Sequence, residues 1–214
     1  MRALGPGWWL LVLAATTLSD LIDLAVIAPP GATALVRMVL LTCTGCAVLR
    51  RLGGIAAPGR PSRALARYAL FETGMALLFG ISSHLLFVVG GLGDRPLATT
   101  WLVTFLVAAA WSIATIRLTG ISAALACGAP FAAMRGAVAK TKGHATALAA
   151  CVAQIVLPFT AIHLALVLLA TSLPLPPKAI AALALLDGVV SAIAVLLALA
   201  LLDAAWRIDA RRFP

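Results

Sequence analysis

Six runs of about 20 apolar residues dominate the 214-residue sequence, at 8–28, 32–49, 68–91, 97–119, 146–171 and 179–206. A helix rises 1.5 Å per residue, so each run is long enough to cross the roughly 30 Å hydrocarbon core of a bilayer. Inside that core there is no water to satisfy peptide groups, and only a helix closes its own hydrogen bonds within one segment. The runs therefore predict an all-α polytopic bundle with six transmembrane spans in one integral membrane domain covering residues 1–214. Composition excludes the alternatives. Only 11% of residues are charged against 63% hydrophobic, where a soluble surface needs roughly a quarter charged. The first run has one competing reading, a cleaved leader, but it continues past Asp20 and Asp23 to Ala28 with no small-x-small site before a polar start.

The breaks between runs are turns that a helix does not cross: Pro29-Pro30-Gly31, the stretch from Arg50 through Gly53, Gly54, Pro58, Gly59 and Pro61 to Arg67, then Gly90 to Pro96, and Pro174 to Pro177. The net charge of +9 would suggest nucleic acid in a soluble protein, but the basic residues sit in these short breaks, where lipid headgroups are the nearest anions. With the N-terminus inside, 13 Lys and Arg fall on the cytoplasmic side and only Arg95 and Lys178 on the other, with Arg37 inside a span. That asymmetry predicts both termini cytoplasmic. Trp8, Trp9, Tyr68 and Trp206 at inner boundaries and Trp101 near an outer one fit the same orientation.

Residues 118–145 are too apolar for a loop and too broken for a span. Pro130 suits a first helical position, Phe131, Met134 and Val138 recur at helical spacing, and Arg135, Lys140 and Lys142 supply charge before Gly143. The expectation is a basic interfacial helix between the fourth and fifth spans, with Arg135, Lys140 and Lys142 touching anionic lipid or a membrane-protein partner.

Ionisable groups within spans cost several kcal/mol of insertion energy (about 2.5–3.5 each), so each needs a partner or a wet cavity. They are Asp20, Asp23, Arg37, Glu72, His84, His163 and Asp187. Asp23 and Arg37 each lie seven residues from Pro30, which puts them at equal depth in an antiparallel hairpin and makes them the expected ion pair. Asp20, one turn deeper, is available to the same arginine. His163 and Asp187 are similarly spaced about the outer proline-rich turn and form the second expected pair. Each pair reads either as a structural lock on helix register or as a proton relay. Gln154 and Pro158 mark a kink. Cys43-Thr-Gly-Cys46 has C-x-x-C spacing, which is used for thiol redox chemistry but arises equally from small residues at a helix contact. The four cysteines show no disulfide framework, and no cofactor, metal or catalytic motif is present.

The stretch from Arg117 to Leu148 resembles the core pattern of the membrane domain of glycerophosphoryl diester phosphodiesterases and related six-helix bacterial membrane proteins. An arginine (Arg117) ends one span, a basic helix around Met134 and Arg135 follows, and Thr141-Lys142-Gly143-His144 precedes the next span. Arg135-Gly136 stands where that pattern often has a serine, and the phosphodiesterase barrel with its His and Glu metal ligands has no counterpart in these residues. The resemblance implies a membrane module and not hydrolysis. The functional expectation is a non-enzymatic interaction or lipid-associated module of a bacterial inner membrane, without cofactor or nucleic acid. The alternatives are a small transporter or permease subunit using Asp20, Asp23 and Glu72, or a thiol redox protein using Cys43 and Cys46.

Overall fold

A computed structural model describes residues 4–25, 30–55, 58, 62–91 and 96–210. Among these residues the chain is all helical, with no strand: α1 (Pro6–Ala25), α2 (Pro30–Leu52), α3 (Arg63–Val89), α4 (Leu97–Ala114), α5 (Thr119–Ala126), α6 (Met134–Thr141), α7 (Ala145–Cys151), α8 (Leu157–Ser172) and α9 (Pro177–Ala210). Three of these helices open on proline (Pro6, Pro30 and Pro177), whose fixed φ suits the first turn and whose missing N–H is not needed there. The ends are as clearly made. After α2, Ile55 N–H donates to the Arg50 carbonyl (2.9 Å) and Gly54 N–H to that of Arg51 (3.0 Å). This Schellman closure needs the left-handed backbone that Gly54 supplies at φ 82°. Gly128, at φ 104°, closes α5 in the same way.

Among the described residues three helices are long and apolar enough to cross a membrane: Arg63–Val89, the continuous helix Lys142–Ala170 that includes α7 and α8, and Pro177–Ala205. A fourth is counted if Leu102–Ala114 and Ile116–Ala126, bent by 50° at one break, form a single span. The fourth expected span was to run straight from 97 to 119; instead α4 ends at Ala114 and a 3-10 turn, Ile116–Leu118, redirects the chain. α1 and α2 are helices of 20 and 23 residues over the first two expected runs, but neither is among the helices long and apolar enough to cross, so the described residues support three or four spans rather than the six expected. The outer faces are apolar: Leu70, Leu77, Ile81 and Leu85 of α3 and Leu102 and Leu106 of α4 are all more than half exposed. An apolar belt of this kind is suited to lipid.

The core lies where α1, α2, α3, α5 and α9 converge, on Val12, Val48, Leu49, Ile121, Leu125 and Leu196. The expected interfacial helix at 118–145 is corrected here. Its first part, α5, is the most enclosed helix described, buried at every residue from Gly120 to Ala126 and packed on α2, α3, α6 and α9. Gly120, Ala123, Ala124 and Ala126 have no bulk to hold neighbouring backbones away, so a short helix can insert among longer ones. Its second part, α6, turns Ala137 inward and packs Met134 and Val138 on the core, so these two residues of the expected stripe cover protein, while Phe131 just ahead of α6 is 42% exposed. Thr141 Oγ1 donates to the Arg117 carbonyl (2.8 Å), tying α6 to the bend. Arg67 donates to the Gly128 and Ala129 carbonyls (3.0 and 2.8 Å), holding the chain just past α5.

The most extensive helix pairing is α1 with α9. It is close because Gly188 has no side chain: a Cβ there would stand 2.9 Å from the Thr17 Cα. Thr16 Oγ1 reaches the Gly188 carbonyl across the crossing (2.9 Å). At the other end of α9, Arg207 donates to Asp203 (2.7 Å) and to the Leu52 carbonyl of α2.

Gly188→Val is expected to lower thermal stability in detergent by about 1–3 kcal/mol through overpacking. Gly74→Ala, where an added Cβ meets nothing within 4 Å, should leave stability unchanged or raise it by up to about 1 kcal/mol. Melting followed by differential scanning fluorimetry distinguishes the two, and equal effects would contradict the close crossing.

Candidate functional site

On α1 the helical repeat places Val12, Ala15, Thr16, Ser19 and Asp20 on the buried face, so the apolar stripe turns polar one turn before Asp20. That polar end meets polar positions from three other helices around a cavity of about 130 Å³. Thr16, Ser19 and Asp20 come from α1, Arg37 from α2, His163 from α8 and Ser191 from α9. Counted from the helix ends that border it, Asp20, Arg37, His163 and Asp187 all lie about 8–15 Å from the same end of the bundle.

His163 Nδ1 lies 2.7 Å from Asp187 Oδ1, and Asp187 is buried, with its side chain 8% exposed. A carboxylate only accepts, so in this contact Nδ1–H is the donor. Ser191 Oγ lies 3.2 Å from the same Nδ1. Asp187 directly precedes Gly188, so the residue that allows α1 to approach α9 also sets the height of the imidazole's partner. Ser19, 1% exposed, has a hydroxyl oxygen with no hydrogen-bond partner although it lines the cavity. An orphaned buried hydroxyl costs about 1–3 kcal/mol and marks a place where a polar group from outside would be welcome. Among the described residues α1 packs on α2 and α9 and α8 packs on α9 around the cavity, whereas α2 and α8 share almost no packing.

The helical path of α8 has a local cause. Pro158 cannot donate to the Gln154 carbonyl and its ring crowds it, and the wide π turn Val152–Val156 directly ahead absorbs the misfit.

The other expected residues are dispersed. Asp23 lies on α1, but its side chain falls outside the described residues, so the expected Asp23–Arg37 pair does too; it is Asp20 that shares the cavity with Arg37. Glu72 is not in this cavity. It accepts a hydrogen bond from Ser122 of α5 (2.6 Å) and lines a separate cleft with Phe79 and Trp111. His84 is exposed on α3 and lines neither space. Arg135 and Lys142 are exposed around α6, and the Lys140 side chain lies outside the described residues. Cys46 is buried in the core at 2% exposure while Cys43 is exposed, so the C-x-x-C presents one accessible thiol rather than two. At Cys127, just past α5, burial pushes the thiol above its ordinary pKa, with Asp203 adding to the rise. Among the described residues no group of His, Cys, Asp and Glu is arranged to hold a metal. Sequence reasoning missed Ser19, Thr16 and Ser191, which carry no charge to draw attention; the available signal was the one-turn spacing of Thr16 from Asp20 and of Ser191 from Asp187, and the position of Ser19 next to Asp20.

His163→Gln and Asp187→Asn are each expected to lower stability by about 1–3 kcal/mol, as loss of a charged hydrogen bond does. The double variant should lose less than the sum, because both changes remove one interaction. Strictly additive melting shifts would show that the contact contributes nothing. Comparison with protein-family models, with curated proteins and with solved structures returns no match.

Proposed function

We propose that this chain is a six-span bacterial inner-membrane protein with both termini cytoplasmic, acting as a non-enzymatic, lipid-associated module whose polar cavity receives the headgroup of a membrane amphiphile. The observation that carries the reading is the convergence of Asp20, Arg37, His163 and the orphaned Ser19 hydroxyl on one cavity bordered by α2 and α8, two helices that pack little on each other. In a bilayer an opening between two helices faces lipid, so a ligand reaches it laterally with its apolar tail outside. Arg37 and the hydroxyls supply donors for a phosphate or carbonyl, and Asp20 an acceptor for an amine or hydroxyl. The 13 to 2 charge asymmetry supports the orientation, and the resemblance around Arg117 to Leu148 supports a membrane module. The exposed Arg135 and Lys142 favour contact with anionic lipid or a membrane-protein partner at the cytoplasmic face.

A transporter is the second reading, favoured by the His163–Asp187 pair, an imidazole lining the cavity in contact with a buried carboxyl group. The two readings separate by experiment. Purification in mild detergent followed by native mass spectrometry should show a retained lipid, lost in Arg37→Gln and reduced in Ser19→Ala, although Ser19→Ala leaves the empty protein as stable or more so. If the same lipids remain bound to both variants while His163→Gln abolishes proton flux in proteoliposomes, the lipid reading fails and the transporter takes its place. For the orientation, alkaline phosphatase fused after Arg207 should be inactive; an active fusion would overturn it.

A further inference from the structure

We propose that the cleft between α3 and α4 is a second, independent binding site, selective for amphipathic organic cations such as aryl quaternary amines. The cleft has a volume of about 300 Å³, the scale of a small-ligand pocket. The helical repeat puts Glu72, Ala76 and Phe79 on one wall and Ala108, Trp111 and Ser112 on the other. Each wall therefore carries one small residue, one polar group and one aromatic ring, and Met75 adds to the α3 wall.

Three features determine what fits. Glu72 is the only glutamate in the chain, and none of the side chains lining the cleft carries a positive charge. Its one described hydrogen bond comes from the neutral Ser122 hydroxyl, so the carboxyl group is oriented without a cationic partner among the cleft's lining residues. Phe79 and Trp111 stand with ring centroids 5.7 Å apart at 56°, a tilted pair whose π faces attract a cation as the carboxylate does. Ala76 and Ala108 keep the space between the walls open, and α3 and α4 pack on each other only lightly, so the cleft is accessible from the side. Carboxylate, aromatic faces and an apolar approach together describe a ligand with a poorly hydrated positive charge on an apolar body. A strongly hydrated inorganic ion would lose more hydration than one carboxylate and one hydroxyl return. The helix α5 is part of the device, because its burial places Ser122 against Glu72.

The probe is phenyltrimethylammonium, titrated calorimetrically into the purified full chain in detergent, with tert-butylbenzene, its uncharged carbon isostere, as competitor. Saturable binding is expected, weakened by about tenfold or more in Glu72→Gln and not displaced by tert-butylbenzene at equal concentration. Glu72→Gln keeps the size of the side chain and an acceptor for Ser122. If it nevertheless fails to fold, Ala108→Leu fills the cleft without touching Glu72 and should abolish binding in the same way. Absence of binding to the parent, wild-type affinity in a folded Glu72→Gln or Ala108→Leu protein, or equal displacement by the isostere overturns the assignment.

Discussion

The hydrogen bond from Thr16 to the Gly188 carbonyl sits at the crossing on which the rest of the bundle depends. Interhelical approach in an apolar medium gains little from hydrophobicity and much from close packing, so the absence of a side chain at Gly188 sets the distance between the two most extensively paired helices. Around that crossing Ser19 and Asp20 of α1 and Ser191 of α9 line one cavity. The cavity follows from the crossing, because two helices held this close at one level part on either side of it, and polar residues line the resulting gap.

The chain uses two ways of handling charge away from water. Where groups can be brought together, they are paired within short range, as His163 is with Asp187 and Arg207 with Asp203. Where they cannot, a neutral hydroxyl orients the charge, as Ser122 does for Glu72. Pairing rigidifies a site, whereas orientation by a hydroxyl leaves it able to attract a further charge. The two cavities are therefore different in kind as well as in place.

The helical membrane character was legible because the length of an apolar run and the thickness of a bilayer are directly comparable. The nearness of His163 and Asp187 was legible for a related reason: a constant rise per residue makes equal spacing from a turn mean equal depth. Rotation about the helix axis is another matter. Depth alone allowed either Asp23 or Asp20 to stand with Arg37, and only packing decides which faces inward. The insertion of α5 left no trace in hydropathy, since an apolar face toward protein and one toward lipid have the same composition. The Ser122–Glu72 contact joins residues 50 positions apart and has no local signature. The stripe of Met134 and Val138 was read as facing the leaflet because sequence shows that a helix is amphipathic but not which apolar surface it meets.

The wide turn at Val152–Val156 carries one residue more than an α-turn would, and everything beyond it is rotated by about 100° relative to an uninterrupted helix. His163 faces Asp187 only in that rotated frame. The pair is thus encoded partly in chain length: loss of one residue from the turn would rotate the imidazole away from Asp187, with every side chain of the site unchanged. A single insertion or deletion seven or more residues before His163 is then enough to gain or lose the pair, a route by which one scaffold can diverge without any substitution among the residues that do its chemistry.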